Sequence, residues 1–166
     1  YAFEYCSQLS SVIIPQNVDY LNWGTFSNCD NLSLVIYLGE SLSGSSDNID
    51  NCPNLKEVHV LPSYSYDSFC GKNVIRCIKN GSCGASTTYI FDNCTGNLFI
   101  SGQGAMSDYP NEPAPYALYK DNITSVIIDG EITSVGNNCF SECAELTSVM
   151  VPISVVSIGN SAFSSC

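Results

Sequence analysis

The chain has 166 residues, 45% hydrophobic and 13% charged, with a formal net charge of −11. Enough apolar material is present for a sizeable core, which excludes a disordered polyelectrolyte, and the excess of sixteen acidic over five basic residues opposes binding to nucleic acid or to anionic membrane surfaces. No apolar run reaches the roughly 18 residues that a membrane-spanning helix needs, so no segment is expected to insert into a membrane. The opening Tyr1-Ala2-Phe3-Glu4-Tyr5-Cys6 lacks the basic start and apolar stretch of a secretory leader.

The first elements, in residues 1–61, repeat. Cys6, Cys29 and Cys52 recur at one fixed step of about 23 residues, the length of a single coil in a stacked repeat. Leu9, Leu32 and Leu55 keep the same step, as do Val12, Val35 and Val58. Phe3 and Phe26 keep the register, and Ile49 replaces the phenylalanine in the third unit. Each unit carries a short β-branched stretch whose alternation predicts a strand with one inward face. Alternation turns Ile13, Ile36 and His59 outward in one column, and Ser11, Leu34 and Glu57 in another.

Between Val60 and Leu98 the period lapses. The stretch holds Cys70-Gly71, Cys77 and Cys83-Gly84, cysteines that no repeated position calls for. A cross-link restricts the unfolded chain and offsets part of the entropy lost in ordering an irregular segment. One disulfide is therefore expected among Cys70, Cys77 and Cys83, with Cys70–Cys83 favoured because both precede a flexible glycine; the third cysteine pairs with Cys94 or stays free. Three of the five basic residues, Lys72, Arg76 and Lys79, also fall here. Phe91-x-x-Cys94, Leu98 and Ile100 recover a weak unit, and Pro110-Asn111-Glu112-Pro113-Ala114-Pro115 marks a long loop. Residues 62–120 read as a decorated, irregular unit of the same stack; two separate stacks are the alternative.

From residue 121 the period returns. Val126 and Val149, Phe140 and Phe163, and Cys143 and Cys166 are each separated by the same step, and Val135 is followed at that step by Ile158. The outward column continues as Ile127 and Met150. Pro152 closes a strand because it cannot donate to a ladder, and Gly159 permits a tight bend. One such unit cannot bury its own apolar face, so neighbours must stack, which predicts a solenoid of about six coils. The cysteine column reads as packed free thiols, since parallel, inward Cβ vectors disfavour bridging.

The unit Cys143-x-x-Leu146-x-x-Val149-x-Val151-Pro152-x-x-Val155-x-x-Ile158-Gly159-x-x-Ala162-Phe163-x-x-Cys166 resembles the BspA-like leucine-rich-repeat family. Residues 1–61 and 121–166 match well, and Ser82 to Tyr109 resembles a degenerate coil. Departures are Cys139 for the alanine of the Ala-Phe pair, Ile49 for phenylalanine and Leu38 for proline. The resemblance implies a leucine-rich-repeat solenoid, mainly β with short helical or 3-10 turns and about 23 residues per coil. It also implies an extracellular or cell-surface protein that adheres to host matrix or neighbouring-cell proteins, with no catalytic residues and no cofactor.

Catalytic constellations are weak. His59, the sole histidine, sits on the strand Glu57-Val58-His59-Val60 and is expected at the surface, away from any nucleophilic cysteine. Cys70, Cys77 and Cys83 lack a fourth zinc ligand unless Cys94 joins. Asp129 and Glu131 flank Gly130, a turn more readily than the carboxylate pair of a polysaccharide-cleaving enzyme. Four Asn-x-Ser/Thr sites, Asn31, Asn80, Asn93 and Asn122, compare with about three expected by chance. The acidity reads as a self-repelling surface or as a face for cationic partners or calcium. The reading is a protein-binding module whose outward column, Ile13, Ile36, His59, Ile127 and Met150, is the candidate contact face. A spacer segment of a larger surface protein is the alternative, and a polysaccharide-active solenoid a distant third.

Overall fold

The computed structural model describes residues 1–43 and 46–166. The chain divides into two compact units, Tyr1–Ile78 and Lys79–Cys166.

In the first unit β1 (Ser11–Ile14), β2 (Leu34–Tyr37) and β3 (Glu57–Val60) run parallel. Val12 pairs with Val35 and Ile36 with His59, so each residue meets its counterpart one repeat further on. The repeated valines Val35 and Val58 face inward and are fully buried beside Leu32 and Leu55. A short antiparallel ribbon follows: β4 (Ser68–Phe69) pairs with β5 (Lys72–Ile75), and β5 continues the sheet against β3. Arg76 secures this ribbon, donating to the carbonyls of Tyr64 at 3.2 Å and Tyr66 at 2.9 Å and to Asp67 Oδ1 at 3.2 Å. Its charge is therefore engaged locally rather than presented as part of a basic spot.

The second unit is built around a hairpin. After β6 (Ile78–Ser82), β7 (Thr87–Asp92) pairs antiparallel with β8 (Asn97–Ala105), Phe91 opposite Leu98. Phe91-x-x-Cys94 is thus the end of a hairpin and not a coil turn: the peptide N–H of Cys94 donates to Asp92 Oδ1, and Gly96 turns the chain at φ +75°. The run Thr87-Thr88-Tyr89-Ile90-Phe91 is β-branched and aromatic, and that preference prevails.

Strand β8 then serves two neighbours. Its first half pairs parallel with β9 (Ser125–Ile128), Leu98 opposite Val126, and its second half with β10 (Glu131–Val135), Gln103 opposite Glu131. The next turn of chain repeats this, β11 (Ser148–Met150) on β9 and β12 (Ser157–Ile158) on β10, again at the regular step: Val126 to Val149, Val135 to Ile158. Between β8 and β9 the step is longer, Leu98 to Val126, because the proline-rich loop and a 3-10 helix at Ala117–Asn122 are inserted.

The Phe-x-x-Cys turns stack. Phe3 lies on Phe26 with centroids 5.2 Å apart, and Phe140 on Phe163 at 5.1 Å. The residue before each cysteine, Tyr5, Asn28, Asn51, Glu142 or Ser165, has φ between 53° and 63°. That left-handed residue ends the turn and lets the cysteine point inward. Three ladder thiols reach the phenylalanine carbonyl of the preceding turn: Cys29 to Phe3 at 3.1 Å, Cys52 to Phe26 at 3.0 Å and Cys166 to Phe140 at 3.1 Å. A small weak donor fits the position because it packs like an alkyl group and still satisfies a carbonyl. Cys6, Cys29, Cys52, Cys143 and Cys166 are all free thiols.

Candidate functional site

The outward column divides between the two units. In Tyr1–Ile78 it runs Ile13, Ile36, His59, Ile75 along the sheet. Ile13 is half-buried, but Ile36 is fully buried and His59 is 6% exposed. The expectation that Ile36 and His59 form an exposed face is therefore corrected. Alternation decides which side of a strand a residue takes; it does not decide whether that side meets water. Leu34-Val35-Ile36-Tyr37 is continuously apolar, the pattern of a parallel strand buried on both faces. His59 Nε2 lies 3.8 Å from Glu57 Oε1.

In Lys79–Cys166 the residues at the corresponding repeat position stay accessible. Phe99 pairs with Ile127, and Ile127 with Met150, so three apolar side chains stand in one outward row. Phe99 and Ile127 are half-buried, and Met150 is 65% exposed. Sequence reasoning missed Phe99, although its place between the inward Leu98 and Ile100 marks it as outward. Asp129 serves a turn rather than a catalytic pair: its Oδ1 accepts from the Gly130 peptide N–H at 2.7 Å, and Gly130 has φ +82°, as a turn requires.

The cysteines of the irregular stretch fall differently from expectation. Cys70 and Cys83 are free thiols, whereas Cys77 and Cys94 are disulfide-bonded. The favoured Cys70–Cys83 bridge is corrected: Cys70 Sγ accepts from Asn48 Nδ2 at 3.8 Å, and Cys83 Sγ lies 3.5 Å from Thr87 Oγ1. Disulfide-bonded, Cys77 and Cys94 offer no thiolate to zinc.

The buried thiols are poor nucleophiles. Desolvation pushes Cys139 up to about 12 and Cys143 up to about 11, with the neighbouring Cys166 adding to the latter. A folded value raised above the ordinary 9.0 favours the protonated thiol, so this contribution to stability is complete below pH 9.0 and is lost as pH rises through 11 and 12. The melting temperature should hold up to that ordinary value and fall above it, with Cys139→Ala reducing the fall. A melting temperature independent of pH across this window would contradict the burial of these thiols.

Short parallel strands stepped by one repeat, joined through stacked Phe-x-x-Cys turns, define a leucine-rich-repeat protein, mainly strand with little helix. A family model described as BspA type leucine rich repeat region matches six copies in residues 1–98 and 112–166. The chain belongs to the BspA-type leucine-rich-repeat family. No curated protein matches it. Among solved structures it is similar to a leucine-rich repeat protein from Eubacterium ventriosum ATCC 27560, determined by crystallography at 2.50 Å resolution. That likeness has 33% identity and a TM-score of 0.49, and covers 53% of this chain and 24% of that one. The chain thus spans about a quarter of that relative's length. No helix among the described residues is long and apolar enough to cross a membrane.

Proposed function

We propose that the chain is a solenoid of coils about 23 residues long that serves as an extracellular protein-binding module, adhering a cell surface to host or neighbouring-cell proteins. The observation that carries the reading is the outward row Phe99, Ile127 and Met150. Apolar side chains held outward on a rigid sheet, in register across adjacent coils, suit contact with a protein. Family membership supports a binding role over an enzymatic one. In Tyr1–Ile78 the corresponding Ile36 and His59 are buried, so no contact face is assigned to that unit. Their burial favours a second reading for residues 1–61, that of a spacer without a ligand of its own.

The test is binding of the chain to immobilised matrix and cell-surface proteins. Replacing Ile127 and Met150 together with glutamate should weaken binding about thirtyfold, the loss of one central apolar contact worth about 2 kcal/mol, while the melting temperature moves little. Undiminished binding by the double variant would remove the row from consideration. Absence of any binding partner would leave the spacer reading.

A further inference from the structure

Trp23 is the only tryptophan of the chain and is 59% exposed. A large aromatic left in water is more informative than one in a core, because tryptophan is among the residues most enriched at binding hot spots. Its orientation is fixed. Nε1 donates to Asp47 Oδ2 at 3.0 Å, and the Tyr1 ring meets the indole edge to face, with centroids 5.8 Å apart and planes at 84°. The Tyr1 nitrogen is turned to the Trp23 carbonyl at 2.9 Å, and Phe3 N–H to Thr25 and Tyr5 N–H to Ser27 continue the same ladder. Gly24, at φ +63°, makes room: a Cβ there would come within 2.7 Å of the Tyr1 ring.

The two rings wall a cleft of about 180 Å³ whose other lining includes Glu4, Asp47, Asp50 and Asn51. Among the described residues no lysine, arginine or histidine side chain lines it. Metabolite sites usually need roughly 300–1,000 Å³, so the space suits a single side chain rather than a free small molecule. Three carboxylates exclude an anionic guest, and their desolvation would oppose a purely apolar one. A cation is favoured twice, by the negative face of the indole and by the carboxylates around it. The net charge of −11 would draw such a partner in from a distance.

We propose that this cleft receives a lysine or arginine side chain of a partner protein, the cation resting on Trp23 and bracketed by Glu4, Asp47 and Asp50. The inference rests on the protein-binding reading only for the partner being a protein. Trp23, as the only indole, reports on the cleft by its own fluorescence.

The experiment titrates the whole chain with a short acetylated and amidated lysine-rich peptide. A norleucine analogue and a neutral glucose oligosaccharide serve as comparisons. The lysine peptide should change Trp23 emission saturably, more weakly as salt is added, and the norleucine analogue should not. Asp47→Asn and Asp50→Asn should each weaken binding about threefold to fivefold, the range of a surface charge pair. Trp23→Ala, followed by calorimetry, should lose the saturable heat while melting like the parent chain. No saturable response to the lysine peptide, an equal response to norleucine, or a response to the oligosaccharide alone would each overturn the proposal. Should the lysine peptide fail while protein ligands still bind through Phe99, Ile127 and Met150, the cleft is excluded and the binding reading stands.

Discussion

Phe140→Ala should destabilise the chain by about 3–5 kcal/mol, a loss that denaturant titration reads directly. Phe140 is 1% exposed and lies between two rings, Tyr116 at 5.6 Å and Phe163 at 5.1 Å, each nearly parallel to it. Truncation removes buried area and also leaves a cavity that its neighbours cannot fill, since each is held by its own turn. The peptide N–H of Phe140 donates to Ala162 and its carbonyl accepts from Cys166 Sγ, so the ring's position is set by the turn on its far side. Phe163, half-buried and with Phe140 on one face, should cost clearly less on the same substitution. Equal losses at the two positions would argue that the turns do not share a continuous core.

That contrast explains what could be read from the sequence. Positions that recur at a fixed step are those the interior needs, and Phe140, Val126, Cys29, Cys52 and Cys143 were legible because each is buried at its repeated place. The strand register followed, since a repeat of constant length leaves parallel strands one pairing that keeps every valine inward. What covers an outward face was not legible. Ile36 and Ile127 occupy equivalent positions, yet the first is fully buried and the second is not. Within its strand the apolar run around Ile36, Leu34 to Tyr37, is only one residue longer than Val126 to Ile128 around Ile127, too slight a difference to decide it. The disulfide-bonded cysteines were half legible. Cys77 stood among the candidates, but choosing among irregular cysteines requires the path of the backbone between them, which spacing does not supply. The cleft at Trp23 escaped notice because its residues come from three consecutive turns at equivalent positions, Tyr1, Gly24 and Asp47 or Glu4, Ser27 and Asp50, whose residue types do not recur.

Gly102→Ala should be the second costly substitution, at about 2–6 kcal/mol, combining backbone strain with overpacking. Gly102 has φ +124°, a conformation closed to side chains, and sits where β8 passes from pairing with β9 to pairing with β10. A Cβ there would stand 2.1 Å from the Ser86 carbonyl oxygen, which accepts from Gln103 N–H at 3.1 Å, so relief would require breaking the hairpin's first rung. The opposing turn is also tight, because a Cβ on Gly130 would come 2.6 Å from the Gly102 oxygen. Gly104 supplies the control. It also has positive φ, at +83°, but a Cβ on it would meet nothing within 4 Å. Gly104→Ala should therefore carry the conformational term alone, about 1–2 kcal/mol. A Gly102 loss well above the Gly104 loss places the cost in the corner where β8 changes partners. Equal losses would mean that this corner opens freely, and the outward row that begins at Phe99 would then lack the rigid sheet on which a binding face depends.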